Sequence, residues 1–398
     1  MLLFENATIH AMRQNSKANE DTFTGSILVK DGKIIEVSSQ LRLPDSIDCQ
    51  RIDIKKQHVY PGFIEAHCHM GITEEKKGRE GDDCNEMVHP ITPMLRAIDA
   101  INTMDAAFHD AVKAGITAAM IGPGSANVVG GQFAVIKTSG RRVDDLIVKA
   151  PAAMKVAFGE NPKTNYGDIG ISPVTRMGVA GLLRQELTKA CRYYEKRGKT
   201  EHDFHYESWF PVLEKKIPLK AHVHRVDDIF TAIRIAKEFD LCMTLDHCSE
   251  GHLIAEELAE EGFPAIVGPD LASRNKIEVQ NAAFKTAGIL ARAGVLVAIT
   301  TDHPVSLIQS LPLCAGLSVK AGLSMQEGLR AITINAARIC GVEDKIGSIE
   351  VGKDADFSIF DGNPMEVFTN TLMTVIDGKI VYRNEKTKTL LANKMRVQ

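Results

Sequence analysis

Two histidines at the end of an apolar run, His67 and His69, are the first residues of this sequence whose spacing suggests chemistry. Side chains at positions i and i+2 of a β-strand point to the same face, so both imidazoles can bind one metal ion. The run that precedes them, VYPGFIEA, is typical of a buried strand after a Pro-Gly turn. The pair would then lie at the carboxyl end of a core strand, where active sites of parallel α/β barrels are found. Two histidines alone could equally be structural.

Further side chains of the metal-ligand type follow other apolar runs. They are His222 and His224 in LKAHVHR, His247 in TLDHCSEGH, and Asp302 in AITTDHP. Imidazoles and carboxylates are the ligands that zinc and related divalent metals prefer. Because these residues recur after separate strand-like runs, the sequence predicts a metal site at one rim of a sheet.

Eight buried strand-like runs alternate with amphipathic helical segments and predict a (β/α)8 TIM barrel. The runs span residues 63–67, 117–122, 133–138, 152–158, 219–224, 242–247, 264–268 and 295–302. The third run stands out because almost no helical segment separates it from the second. Residues 161–215 form the longest interval between runs, which is typical of a lid or an oligomer contact.

The two ends of the chain share a different sequence pattern. Both contain short strand-like runs joined by turns, at Asp31-Gly32 and at Asp377-Gly378. They predict one small β-sandwich domain built from residues 1–58 and 353–398. Residues 59–352 would then form the barrel domain, with the insertion or lid at 161–215.

The composition narrows the possible partners and location. The formal net charge is −4 and the sequence has no basic tract, so nothing in it indicates binding to nucleic acid or to an anionic membrane. No apolar run has the roughly 20 residues of a membrane span, and the N-terminus lacks signal-peptide features. Eight scattered cysteines are typical of buried free thiols in a reducing compartment. We therefore expect a cytoplasmic homo-oligomer that acts on a small molecule.

Several segments of the chain resemble the metal-dependent amidohydrolase superfamily. They are PGFIEAHCHM, KAHVHR, TLDHCSEGH, TTDHP and the tail GLSMQEGLRAITINAARICGVEDKIGSIEVGKDADFSIFDGNP, which together span nearly the whole chain. The segments GPGSANVVGGQ and MKVAFGENPK are most similar to the imidazolonepropionase-related branch, a group that also holds dipeptidases and cyclic-amide hydrolases. The resemblance implies a hydrolase with divalent metal ions, two zinc ions or else iron or manganese.

The resemblance also implies a set of ligands. His67, His69 and Asp302 would bind the first ion, and His222 and His247 would bind the second. His224 points the same way as His222 and is expected to contact substrate, with a merely structural role as the alternative.

A binuclear site of this superfamily needs a bridging carboxylate, for which the chain offers two candidates. Lys155 falls on the fourth predicted strand and matches a lysine that is carbamylated in some branches. Glu160, at the end of that strand, could bridge directly. A bare lysine would repel the ions, so Lys155 could serve only as its carbamate. The strand count favours Lys155 and the simpler chemistry favours Glu160, and both stay open.

The implied mechanism is hydrolysis of an amide C–N bond. Coordination lowers the pKa of bound water from about 15.7 towards 7, and Asp302 acts as general base and then acid. The substrate would be a cyclic amide, an imidazolone-like ring, or an N-acyl amino acid or dipeptide, with a prolidase-like dipeptidase as the alternative.

Arg225 stands where one-metal deaminases carry a glutamate, which disfavours a deaminase. A non-catalytic relative without metals would have lost the histidines that this chain keeps.

Three further residues are candidates for substrate binding. His89 lies in the loop after the first predicted strand, Arg225 follows the fifth and Arg274 follows the seventh. Either arginine could pair with a substrate carboxylate through two hydrogen bonds. All three could instead be ordinary solvated residues of surface loops.

Overall fold

Two eight-stranded β-sheets organise the molecule, a computed structural model that describes residues 1–14, 21–41, 43–44, 46–75, 78–199 and 201–385. The first sheet joins both ends of the chain. Its strands are β1 (Leu2–His10), β2 (Thr22–Lys30), β3 (Lys33–Ser38), β4 (Gln50–Asp53), β5 (His58–Pro61), β14 (Phe357–Phe360), β15 (Thr371–Ile376) and β16 (Lys379–Arg383). They hydrogen-bond in the order β16-β15-β14-β5-β1-β2-β3, and β4 pairs with β1.

The small sheet therefore unites the termini as expected, but a two-sheet β-sandwich is not confirmed. Its own apolar cluster includes Phe4, Ile27, Val59 and Phe357, all buried. Asp31-Gly32 and Asp377-Gly378 form its turns, with positive φ angles at all four residues, which glycine and aspartate tolerate best. Whether residues 1–58 and 353–398 form a separate domain stays a prediction.

The second sheet is the nearly closed barrel. Its strands are β6 (Phe63–Cys68), β7 (Ile116–Ile121), β8 (Val129–Lys137), β9 (Ile147–Ala157), β10 (Leu219–Val223), β11 (Met243–His247), β12 (Ala265–Val267) and β13 (Val297–Ile299). All eight overlap predicted strand-like runs, and they pair in chain order from β6 to β13. The eight-stranded barrel of the prediction is thus consistent with the structure.

One strand departs from the all-parallel expectation. β8 pairs antiparallel with both β7 and β9, whereas the other neighbouring barrel strands are parallel. Parallel neighbours need a crossover of a dozen or more residues, and only residues 122–128 connect β7 to β8. The missing helical segment noted in the sequence is the signature of this reversal.

The gap between β13 and β6 is bridged by the side chain of Glu65. Its fully buried carboxylate accepts hydrogen bonds from the hydroxyls of Thr300 (2.5 Å) and Thr301 (2.6 Å) and from the Thr301 backbone N–H (2.9 Å). The His69 N–H also donates to the His303 carbonyl at 2.8 Å. These bonds hold the strand that carries His67 and His69 against the segment that carries Asp302.

Eleven helices are described besides short 3-10 turns. They are α1 (Ala106–Lys113), α2 (Glu160–Asp168), α3 (Arg176–Glu195), α4 (Phe204–Glu207), α5 (Phe210–Leu213), α6 (Val226–Glu238), α7 (Ala255–Glu261), α8 (Lys285–Ala293), α9 (Leu311–Lys320), α10 (Met325–Ala331) and α11 (Ile334–Cys340). None of those in the described part of the chain is long and apolar enough to span a bilayer.

Local sequence explains these helices. α6 buries Ile229, Ala232, Ile233 and Ala236, the i, i+3, i+4, i+7 stripe of an amphipathic helix, against the barrel. α10 starts at a capping residue, Ser324, whose hydroxyl accepts the Glu327 N–H. Such packing supplies most of a helix's stability in a protein.

The inside of the barrel is filled below the candidate metal ligands. Ile64, Ala66, Met120 and Phe133 pack there in one apolar cluster with residues of α11. The insertion contributes to the main core instead, since Trp209 and Leu183 are fully buried in it. All eight cysteines are free thiols, five of them buried.

Candidate metal centre

His67, His69 and Asp302 form the first of two groups of ligand-type side chains. Asp302 Oδ1 lies 3.4 Å from Nε2 of His67 and 3.2 Å from Nε2 of His69. The ligand atoms of the three residues lie within 4.8 Å of one another. The structure thus brings together the residues predicted for the first ion.

His222, His224 and His247 form the second group, again with ligand atoms within 4.8 Å of one another. Their ring centroids are 4.6 to 4.8 Å apart. His224 (4.8 Å) lies nearly as close to His247 as His222 (4.6 Å) does, so both histidines of β10 and its end are placed to act as ligands. These distances do not favour His222 over His224 as the ligand of the second ion, although the resemblance does.

The two groups adjoin each other. The ring centroids of His67 and His247 are 5.0 Å apart, and Asp302 Oδ2 lies 3.9 Å from Nδ1 of His247. Asp302 therefore faces histidines of both groups, a position suited to a residue shared between two ions.

Four of the five imidazoles nearest this junction have Nδ1 held by an acceptor or hydroxyl of the protein. Nδ1 lies 2.8 Å from Asp246 Oδ2 in His67, 2.7 Å from the Gly122 carbonyl in His69, 2.8 Å from Ser249 Oγ in His224 and 2.8 Å from the Gly268 carbonyl in His247. Such partners orient a ligand histidine and leave the other ring nitrogen for a metal. In His222 the roles are reversed, because Nδ1 is buried without a partner and Nε2 faces protein side chains.

The backbone is strained where two of the strands end at the site. His247, Cys248 and Asp302 all have positive φ angles, 74°, 49° and 52°. Non-glycine residues seldom adopt this region, and such residues concentrate at functional sites. At the end of β11 this turn allows both Asp246 and His247 to contact site residues, although neighbouring side chains on a regular strand would point to opposite faces.

The structure separates the two candidates for the bridging group. Lys155 on β9 is fully buried, with Nζ 3.4 Å from Nε2 of His67. Burial lowers the pKa of its ammonium to about 8. Glu160 is half-buried at the start of α2, where its carboxylate accepts the Glu278 N–H at 3.4 Å. Lys155 thus reaches the histidine groups, whereas the carboxylate of Glu160 has its described contact with the Glu278 backbone N–H.

Burial and neighbouring charges set the protonation of the histidines. Burial, reinforced by Lys155, lowers the pKa of His67 to about 4. Burial and His222 lower the pKa of His224 to about 3. Burial also lowers the pKa of His69, but the negative charges of the Cys84 thiolate and the Asp302 carboxylate outweigh it and raise that pKa to about 10. His67 and His224 are therefore neutral at pH 7, the form that binds metal.

Sequence reasoning missed several charged residues around the site. Lys220 and Asp246 are fully buried within the barrel strands, and Lys220 Nζ lies 3.3 Å from Asp246 Oδ2. Glu278, in the loop after β12, lies 3.6 Å from Nε2 of His222. A charged residue inside an apolar strand is a signal that could have identified Lys220 and Asp246. Glu278 lies in a polar loop and carries no such signal.

The three candidates for substrate binding lie away from the histidine groups in their described contacts. His89 is exposed and its Nδ1 accepts the Ile91 N–H. Arg225 pairs with Asp227 at 2.9 Å, and Arg274 is exposed in the loop after β12. Their roles in substrate binding stay predictions.

Two orphaned atoms indicate that the donor set fits a metal. Nδ1 of His222 and Oδ1 of Asp302 are buried without a hydrogen-bond partner in the described structure. Buried polar atoms normally have partners, and a bound metal ion is one of the accepted reasons for an exception. Five imidazoles and a carboxylate around those atoms are a donor set that suits zinc, iron or manganese.

This barrel and its histidine and aspartate groups define a metal-dependent hydrolase. The chain belongs to the amidohydrolase family, whose sequence model matches residues 58–381. It is an enzyme that acts on carbon–nitrogen bonds, and the predicted superfamily and imidazolonepropionase-related branch are confirmed.

A crystal structure of an amidohydrolase from Thermotoga maritima MSB8 is similar to this chain, with a TM-score of 0.91 and 40% sequence identity over 96% of this chain and 100% of that one. An imidazolonepropionase from Syntrophobacter fumaroxidans is 26% identical over 367 residues, 85% of this chain and 84% of the relative. The amidohydrolase tasK from Hapsidospora irregularis is 26% identical over 390 residues, 89% of this chain but 39% of the relative. This chain thus spans about two fifths of the length of that relative.

Proposed function

We propose that this enzyme hydrolyses an amide C–N bond with two divalent metal ions, zinc in the first instance. The observation that carries the proposal is the junction of the two groups, where the rings of His67 and His247 approach to 5.0 Å and Asp302 faces both. His67, His69 and Asp302 would hold the first ion, and His222 and His247 the second, with His224 available to either the ion or the substrate.

When bound, the ions supply a water of lowered pKa and a Lewis acid that polarises the carbonyl. Asp302 would accept the proton of that water through the oxygen not engaged by His67 and His69, and return it to the leaving nitrogen. His224 is held on Ser249 through Nδ1, which leaves its Nε2 to contact the carbonyl oxygen of a substrate. The carbon–nitrogen bond then breaks and yields a carboxylate and an amine.

Lys155 is the residue that we propose as the source of the bridging carboxylate. Carbamylation needs a neutral amine and a carbon dioxide molecule, and the new N–C bond releases one proton. Burial favours the neutral amine, and the amine lies beside Nε2 of His67. The carbamate would add an acceptor oxygen on the side of His67 that faces β9.

The substrate class that we propose is a cyclic amide or imidazolone-like ring, or an N-acyl amino acid or dipeptide. Support for the ring comes from the imidazolonepropionases among the relatives, one of which the chain matches over 84% of its length. A prolidase-like dipeptidase is the second candidate. Arg225 is engaged by Asp227 and occupies the position of the glutamate that one-metal deaminases use, which weighs against deamination.

A substrate screen on metal-analysed protein tests this proposal. Purified enzyme with measured zinc, iron and manganese content would be offered lactams, imidazolones, N-acyl amino acids, dipeptides and aminated heterocycles. We expect carboxylate release from one amide class and no ammonia from the heterocycles. Protein that retains no metal after gentle purification would contradict the metal mechanism, and ammonia release from a heterocycle would identify a deaminase instead.

A further inference from the structure

Glu278 places a buried carboxylate beside the second histidine group. The residue is 1% exposed, and its Oε1 lies 3.6 Å from Nε2 of His222. That separation is an ion-pair contact but is longer than a hydrogen bond, and Oε1 has no hydrogen-bond partner in the described structure. A buried charged oxygen of this kind is costly unless a donor satisfies it.

The rest of the carboxylate is held firmly on the opposite side. Oε2 of Glu278 accepts the Glu160 N–H at 2.8 Å, at the first residue of α2. The Glu278 N–H in turn lies 3.4 Å from Oε2 of Glu160. These reciprocal contacts fix the orientation of the Glu278 side chain and leave Oε1 directed at the imidazole.

His222 has one ring nitrogen available for a metal and one beside the carboxylate. Nδ1 is buried without a partner, whereas Nε2 faces Glu278 and the amide nitrogen of Asn161 at 3.3 Å. That amide nitrogen can only donate: one hydrogen goes to Ser125 Oγ at 2.7 Å, and the other can be donated to Nε2 when Nε2 carries no hydrogen. The Asn161 oxygen is engaged by Lys276 at 2.5 Å. When Nδ1 binds a metal the ring hydrogen stays on Nε2, and among the described contacts of Nε2 the acceptor is then Oε1 of Glu278.

We propose that Glu278 is a positioning residue that makes Nδ1 of His222 the atom that binds the second ion. The inference rests on the proposed function, because it assumes that this ion is bound. With the metal on Nδ1, Nε2 carries a hydrogen and donates it to Glu278. A carboxylate in this position fixes the ring orientation and raises the basicity of the ligand nitrogen.

The first group contains a comparable pair, a histidine beside a buried carboxylate. Nδ1 of His67 lies 2.8 Å from the buried carboxylate of Asp246, so Nε2 of His67 is left to face Asp302. Each of the two groups would then contain one histidine anchored on a buried carboxylate, with opposite ring nitrogens directed at the metals.

Cobalt substitution of three variants tests the role of Glu278. Glu278→Ala should weaken binding of the second ion by about 10–100-fold, the usual effect of losing such a partner, and should alter the visible cobalt spectrum. Glu278→Gln keeps an acceptor oxygen, so its affinity for the second ion should fall far less. Glu238→Gln removes an exposed carboxylate at the end of α6 that pairs with Arg184, and should bind both ions as wild type does.

Two results would overturn the positioning role. One is a Glu278→Ala enzyme that binds the second ion with wild-type affinity and spectrum. The other is an equal loss of affinity for the second ion in the alanine and glutamine variants, together with a cobalt spectrum that shows one ligand fewer. That result would make Glu278 a ligand itself. Thermal unfolding in excess metal verifies that each variant is folded. Wild-type protein without a second ion would instead refute the two-ion site, a result separate from either of these.

A second measurement determines directly which ring nitrogen of His222 carries the hydrogen. In zinc-loaded protein with nitrogen-15-labelled histidine, His222 should show a protonated Nε2 and a metal-bound Nδ1, assigned by the loss of its signal in His222→Asn. A protonated Nδ1 with zinc on Nε2 would contradict the proposal.

Discussion

Asp246 Oδ2 lies 2.8 Å from Nδ1 of His67, and both side chains are fully buried. Lys220 Nζ lies 3.3 Å from the same carboxylate oxygen and donates to the Ala66 carbonyl at 3.0 Å. Burial alone would raise the pKa of Asp246, but Lys220 and His67 lower it well below its ordinary value. The carboxylate is thus charged, and it both compensates a buried lysine and orients a candidate metal ligand.

Replacement of this carboxylate should have two separable effects. Asp246→Asn should weaken binding of the first ion by about 10–100-fold, because His67 loses its charged partner. It should also destabilise the fold by about 3–5 kcal/mol, because the charge of Lys220 is left buried and uncompensated. Metal titration and urea unfolding measure the two effects. The double variant Asp246→Asn/Lys220→Met should recover stability but not metal affinity, and parallel recovery of both would contradict separate roles.

Asp302→Asn should reduce kcat by about 10²–10⁴-fold, the usual contribution of a general acid–base. The amide cannot accept the proton that Asp302 is proposed to take, although it keeps the shape of the side chain. Rates must be normalised to metal content, because Asp302 is also a proposed ligand. A variant with full metal content and normal turnover would refute the assignment.

Lys155→Met should abolish activity, whereas Glu160→Gln should retain it. Of these two candidates, Lys155 is the one with a described contact to His67, and a methionine of similar length cannot carry a carbamate. Wild-type protein incubated with carbon-13-labelled bicarbonate and metal should show one carbamate carbon resonance that Lys155→Met lacks. If Glu160→Gln is inactive while Lys155→Met retains activity, Glu160 supplies the bridge.

Lys137→Met should destabilise the protein by about 3–5 kcal/mol without a direct effect on the site. Lys137 Nζ is buried between Asp356 (2.5 Å) and Asp354 (2.9 Å), where it joins the lower end of β8 to the small sheet. Lys33→Met is the matched control, because Lys33 also pairs with Asp354 but is half exposed, and it should cost no more than about 1 kcal/mol. If both variants lose the same free energy of unfolding in urea, burial of the ion pair is unimportant for stability.

Much of this architecture could be predicted from local sequence. The eight barrel strands were found because buried strands are continuous apolar runs, and His67, His69 and Asp302 because they follow such runs. The direction of β8 was not predicted, since strand propensity carries no direction. Only the seven-residue connection at 122–128 pointed to it.

The supporting residues were harder to predict for a different reason. Asp246 sits next to His247, and on a regular strand it would face away from the site. The positive φ angle of His247 removes that alternation, and no residue pattern in TLDH announces it. Glu278 reaches His222 across 56 positions of sequence through a loop whose path follows from tertiary contacts alone.

The reversed strand β8 also bears on how the barrel assembles. β7, β8 and β9 are consecutive and antiparallel, so all their pairings join residues close in sequence. Contacts of low sequence separation close short loops and form faster than parallel pairings across a helix. The three-strand meander is therefore expected to be an early folding nucleus, and it already contains Lys155 before the strands that bring the histidines to it have joined the sheet.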